Sequence, residues 1–180
     1  GFFSVDLRSY FDRDINWKGN TLLQTIEPRL YFLFQEYVDQ TRIPIFDVAN
    51  FQSGYSRLFR RDQFAGIDRI ADANKVVLGF SSSMSSKAGG QELLVFRIGR
   101  SFPFEDRRVR LEDRDAVDQD EALVGELSVM INERLSSVIG FVWDDNDKGI
   151  RQSSFHLNYR GKRNELVNLG YRKLVEHNIN

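Results

Sequence analysis

The stretch Leu123-Val124-Gly125-Glu126-Leu127-Ser128-Val129-Met130-Ile131-Asn132 decides the fold. Leu123, Leu127, Val129 and Ile131 share one side of it, and Glu126, Ser128, Met130 and Asn132 the other. Successive side chains of a strand point to opposite faces, so this is a strand with one apolar and one mostly polar face. The pattern recurs outward in both directions. Toward the C-terminus, Ile139, Phe141 and Trp143 form one apolar set. Phe155, Leu157 and Tyr159 then alternate with Ser154, His156, Asn158 and Arg160, and Val167, Leu169 and Tyr171 with Asn168, Gly170 and Arg172. Toward the N-terminus, Leu94, Phe96 and Ile98 oppose Val95, Arg97 and Gly99, preceded by Val76, Leu78 and Phe80. Ile26, Pro28, Leu30, Phe32 and Phe34 oppose Glu27, Arg29, Tyr31 and Gln35, and Phe3, Val5 and Leu7 oppose Asp6 and Arg8.

About eight strands result, over about 1–11, 21–38, 74–86, 91–101, 121–132, 135–144, 151–160 and 164–174. Most are near ten residues, the length that crosses a bilayer when tilted, whereas strands of soluble proteins more often run about five or six. The connections alternate in length. Residues 87–90, 133–134 and 161–163 are short, 39–73, 102–120 and 145–150 are longer, and 12–20 is intermediate. Outer-membrane barrels have short periplasmic turns and longer external loops, so the second set is assigned to the cell exterior. Aromatic residues near strand ends (Tyr10, Phe11, Tyr37, Trp143, Tyr159, Tyr171) fit interfacial girdles, although aromatics favour strands in any setting. The expected fold is all-β: an antiparallel up-and-down transmembrane β-barrel, with residues 1–180 forming about eight strands of it.

Composition agrees. Charged residues are 28% of 180 and mean hydropathy is -0.42, with no run approaching the roughly 18 apolar residues of a membrane helix. That excludes a helical membrane protein and leaves a barrel open. A net charge of -1 argues against a nucleic-acid partner. The 15 Phe argue against disorder, and the absence of Cys removes thiol chemistry and Cys-based zinc sites. Gly1-Phe2-Phe3-Ser4 does not read as a signal peptide, so either one has been removed or the chain is an internal piece.

The segment from Val38 to Asn74 has repeated aromatic, Asp and Arg residues. It reads as a loop folded on itself, with a helical turn around Tyr55 to Phe59, capping a barrel mouth rather than catalysing. Three stretches in and before it carry a resemblance. Gln24-Thr25-Ile26-Glu27-Pro28-Arg29-Leu30-Tyr31-Phe32, Ile43-Pro44-Ile45-Phe46-Asp47 and Phe64-Ala65-Gly66-Ile67-Asp68-Arg69-Ile70-Ala71-Asp72-Ala73-Asn74 resemble, in that order, the LPS-assembly outer-membrane protein family LptD, also called OstA or Imp. Gln63 stands where the family often has Arg, and Ala65 and Ile67 where Ser and Gly are frequent. Gly99-Arg100-Ser101-Phe102 and Phe104-Glu105-Asp106-Arg107-Arg108-Val109 extend the similarity.

The resemblance implies a barrel of about twenty-six strands joined to a periplasmic jellyroll, with an LptE-type plug lipoprotein inside. Such a machine takes lipopolysaccharide from a periplasmic LPS-transport bridge through its N-terminal domain and inserts it into the outer leaflet. The chain is then expected to be a central slice in the bacterial outer membrane, in contact with its lipids, without the jellyroll, the closing strands or the family's cysteines. Acyl chains would follow apolar surface, and sugars and phosphates a wet lumen. The lumen-facing candidates are Glu27, Arg29, Arg97, Glu126, Ser128, Asn158, Asn168 and Arg172. A small self-contained eight-stranded barrel acting as anchor or surface-binding protein is the alternative. An outer-membrane phospholipase or protease is third.

No catalytic residue or cofactor is expected. GxSxG, HExxH and glycine-rich phosphate loops are absent, and His156 and His177 have no Ser–Asp companions in the pattern. Asp144-Asp145-Asn146-Asp147-Lys148-Gly149 resembles a Ca²⁺ loop but lacks the closing Glu, and reads as a turn. The mixed-charge run Glu105 to Asp115 reads as a solvated loop. In a sharper version Arg107, Arg108 and Arg110 meet anionic head groups.

Overall fold

In the computed structural model, one strand of sixteen residues organises its neighbours on both sides. The structure describes residues 1–17, 19–35, 49–50, 54–60, 64–65, 74–104, 122–144, 149–163 and 165–175. The elements are β1 (Phe2–Arg8), β2 (Phe11–Trp17), β3 (Asn20–Gln35), β4 (Ala49–Asn50), α1 (Tyr55–Leu58), β5 (Phe64–Ala65), β6 (Lys75–Ser86), β7 (Glu92–Pro103), β8 (Leu123–Asn132), β9 (Leu135–Asp144), β10 (Gly149–Arg160) and β11 (Leu166–Leu174). Every pairing is antiparallel. The main sheet runs β1-β3-β6-β7-β8-β9-β10-β11, with β2 also on β3, and β4 pairs β5 apart from it. Among the described residues no ladder joins β1 or β2 to β11, so the sheet is open.

The expected connection 12–20 is corrected. Phe11–Trp17 is strand, and the hairpin closes at Gly19, whose φ of 81° only glycine adopts at no steric cost. β1 and β2 share one register on β3, from Phe2 opposite Gln35 to Trp17 opposite Asn20, so they form one arm of the hairpin. The arm breaks at Ser9 and Tyr10 because of Pro28. Ser9 N–H donates to the Pro28 carbonyl at 3.2 Å, and proline has no N–H to return. With that arm counted once, the sheet has the strand number the sequence implies. A second correction concerns 145–150: β9 ends at Asp144 and β10 begins at Gly149, so this connection spans only 145–148 and is no longer than 87–91 or 161–165 at the other end of the sheet. The length contrast rests on 36–74 and 104–122, and the expected long loops at about 39–73 and 102–120 lie largely outside the described residues.

Register fixes the faces. Ile26, Ser82, Phe96, Leu127, Ile139, Phe155 and Tyr171 line up across the sheet on one face. Leu7, Phe34, Leu78, Phe80 and Leu169 share that face and are exposed. The buried cluster lies on the other face, where Leu33, Val77, Val124 and Val142 are at most 2% exposed beneath Tyr55, Leu58 and Phe59. A sheet that exposes its apolar face and keeps its small core on the polar one inverts the soluble pattern. Tyr10 and Phe11 do not mark a strand end, because they lie midway along the β1–β2 arm. Trp143 and Tyr159 do, each next to the last residue of its strand, while Tyr37 lies outside the described residues.

Candidate functional site: the polar face and its docked helix

The site is built on rows of directly opposed residues. One row reads Glu27, Ser81, Arg97, Glu126, Gly140, Ser154 and Arg172 across six ladders. Arg97 Nη1 donates to Glu126 Oε1 at 2.8 Å. The adjacent row begins Arg8, Arg29, Gly79, Gly99 and Val124. All eight residues singled out in the sequence stand on this face. Glu27, Arg29, Arg97 and Glu126 line one open cleft of about 480 Å³ with Ser81, Ser83 and Glu92. Arg172 and Glu126 reach a second, smaller depression beside His156. Ser128 opposes Val138, and Asn158 opposes Asn168, away from the cleft.

Two features of the site were not anticipated. Asp6 receives two arginines: Arg29 through Nε at 2.9 Å and Nη2 at 2.7 Å, and Arg8 through Nη2 at 2.7 Å. The sequence shows Asp6 and Arg8 at polar positions, but only the register places them beside Arg29. The second is the docking of α1. Arg29 lies over the Phe59 ring, 3.8 Å from its centroid, within cation–π range. Tyr55 and Tyr31 flank the same ring at 5.0 and 6.3 Å. A four-residue helix cannot hold itself in water, and α1 has no side-chain N-cap. Its seat is the Gly79–Gly99 pair, where a Cβ on Gly79 would collide with Phe59 and Tyr55, and one on Gly99 would come within 2.9 Å of Leu58. Burying Leu58 and Phe59 stabilises the docked state by about 1.5–3 kcal/mol each before ordering entropy is subtracted, and the buried Tyr55 ring adds less because its hydroxyl is desolvated without a partner among the described residues. The helical turn expected around Tyr55 to Phe59 is present, seated on the sheet face.

Burial raises the Tyr55 pKa above the usual tyrosine value, and its hydroxyl has no hydrogen-bond partner among the described residues. Burial also lowers that of Arg57, helped by the nearby Arg60 charge. Asp144 of the acidic turn is buried and pairs with Arg151 Nε at 2.9 Å, while residues 145–148 lie outside the described residues, as do 105–115.

The family model for LPS transport system D matches residues 1–180. The chain belongs to the LptD family. Its curated relatives include LPS-assembly proteins LptD of Pseudomonas savastanoi pv. phaseolicola, 39% identical over 178 residues and 94% of this chain, and of Ectopseudomonas mendocina, 38% identical over 182 residues and 96% of the chain. That of Hahella chejuensis is 34% identical over 177 residues and 95% of the chain. The chain spans 19–22% of the length of these LptD proteins. The expectation drawn from Glu27-Pro28-Arg29 and the later motifs is met at the level of family. In this LptD-family chain, that stretch carries Arg29 to Asp6 and Phe59 and carries Pro28 to the break in the β1–β2 arm.

Proposed function

We propose that this sheet is part of the wall of a larger outer-membrane barrel that carries lipopolysaccharide to the outer leaflet. The observation that supports it is the inverted sheet: an exposed apolar face, and a polar face bearing opposed charges and a docked helix. On this reading the apolar face meets lipid. Glu27, Arg29, Arg97, Glu126, Ser128, Asn158, Asn168 and Arg172 face a wet lumen, where they meet saccharide, phosphate or the LptE-type plug lipoprotein. The LPS-transport bridge is a partner of the whole protein. A self-contained eight-stranded barrel is disfavoured: its interior is just filled by side chains, whereas this face holds α1 and two clefts. The chain's own groups supply binding and orientation, and no catalytic step is assigned to them.

Photo-crosslinking from the full-length protein in cells tests the reading. A benzophenone at Arg97 or Asn158 is expected to capture the plug lipoprotein or lipopolysaccharide, and one at Phe155 or Val129 membrane lipid. Plug adducts arising only from Phe155 or Val129 would reverse the faces.

A further inference from the structure

The charges on the apolar face share one sign. Among the described strand residues, every carboxylate projects from the polar face, while Arg13, Arg100 and Lys173 stand on the apolar one. Arg100 rests over the Phe102 ring at 5.2 Å. Arg13 is held differently. Its Nε donates to Gln24 Oε1 at 2.6 Å, and Gln24, only 8% exposed, donates through Nε2 to Ser82 Oγ at 2.9 Å. This relay fixes the guanidinium and leaves its Nη groups without a carboxylate among the described residues. Arg13 shares its face with Phe11, Ile15 and Trp17, and Trp17 ends the strand at the hairpin. The cation therefore sits four positions from Trp17 at the hairpin end of the arm, where a charge is tolerated when its side chain reaches the head-group layer.

We propose that Arg13, oriented by Gln24 and Ser82, binds the phosphate of a membrane phospholipid in the leaflet next to the short turns. A planar guanidinium donates a fork of two N–H bonds to a phosphate, and Gln24 spends its own polar atoms on holding the fork. The proposal rests on the apolar face meeting lipid.

The test is native mass spectrometry of the full-length protein in detergent. It is titrated with phosphatidylethanolamine, with a diacylglycerol of the same chains, and with inorganic phosphate. Phospholipid retention is expected to fall roughly tenfold in Arg13→Gln and about threefold in Ser82→Ala, which keeps the charge and guards against a folding defect in the first variant. Diacylglycerol should show no such dependence, and inorganic phosphate should not displace the lipid. Equal retention by wild type and both variants overturns the proposal, as does displacement by inorganic phosphate. A polarity-sensitive fluorophore at Phe11 or Ile15 separates the two claims. A water-like signal there sinks the lipid-facing reading itself. A lipid-like signal with no Arg13 dependence sinks the phosphate site alone.

Discussion

Gly79 and Gly99 oppose each other across the β6–β7 ladder, and the space above them is occupied by Tyr55, Leu58 and Phe59. The pair turns a sheet face into a seat for a helix too short to stand alone. Larger residues there should unseat α1 while leaving the strands paired. Gly79→Val is expected to destabilise docking by about 1–3 kcal/mol, the usual overpacking cost. Limited proteolysis between residues 54 and 60 should speed up in the variant, with strand content by circular dichroism unchanged.

Docking should also weaken at high pH. Tyr55 has its pKa raised by burial, so folding binds its proton more tightly. The stability this contributes is complete below the ordinary tyrosine value of 10.0 and is lost as pH rises past it through the folded pKa. Tyr55→Phe removes a hydroxyl with no partner among the described residues. It should leave docking unchanged or slightly firmer at neutral pH and abolish the alkaline loosening, read by the same proteolysis across a pH series.

Asp6 neutralises two guanidiniums at once. Replacing it with Asn leaves Arg8 and Arg29 adjacent and unscreened, at a cost of about 1 kcal/mol once their partial exposure is allowed for. Adding Arg8→Gln should recover part of that loss. Denaturant unfolding of the single and double variants measures it, and additive effects would contradict the shared-carboxylate account.

How the arm broke at Pro28 bears on what the sequence could reveal. Phe11, Ile15 and Trp17 alternate with Asp12, Asp14 and Asn16, a strand signal for β2. Arg13 interrupts its apolar side, and the run reads as a connection until its register on β3 is known. The remaining strands were legible because each carries at least three alternating apolar residues in succession, as in Leu94, Phe96 and Ile98 of β7, and the eight polar candidates fell on one face because parity alone determines that. Their grouping was not legible. Asp6 meets Arg29, and Phe59 meets Gly79, through pairings between residues 23 and 20 positions apart in sequence, which alternation does not encode. Pro28→Ala restores the missing N–H. It should slow amide exchange between residues 8 and 11 by several-fold, and unchanged exchange would assign the break to another cause.

The central claim is that one face of this sheet meets lipid and the other water. Spin labels placed singly along 167–172 of β11, whose residues are exposed on both faces, test it most directly in the full-length protein in bilayers. The account predicts accessibility with a period of two, oxygen favoured at positions 167, 169 and 171 and a water-soluble nickel complex at 168, 170 and 172. The opposite phase, or no alternation, would contradict it.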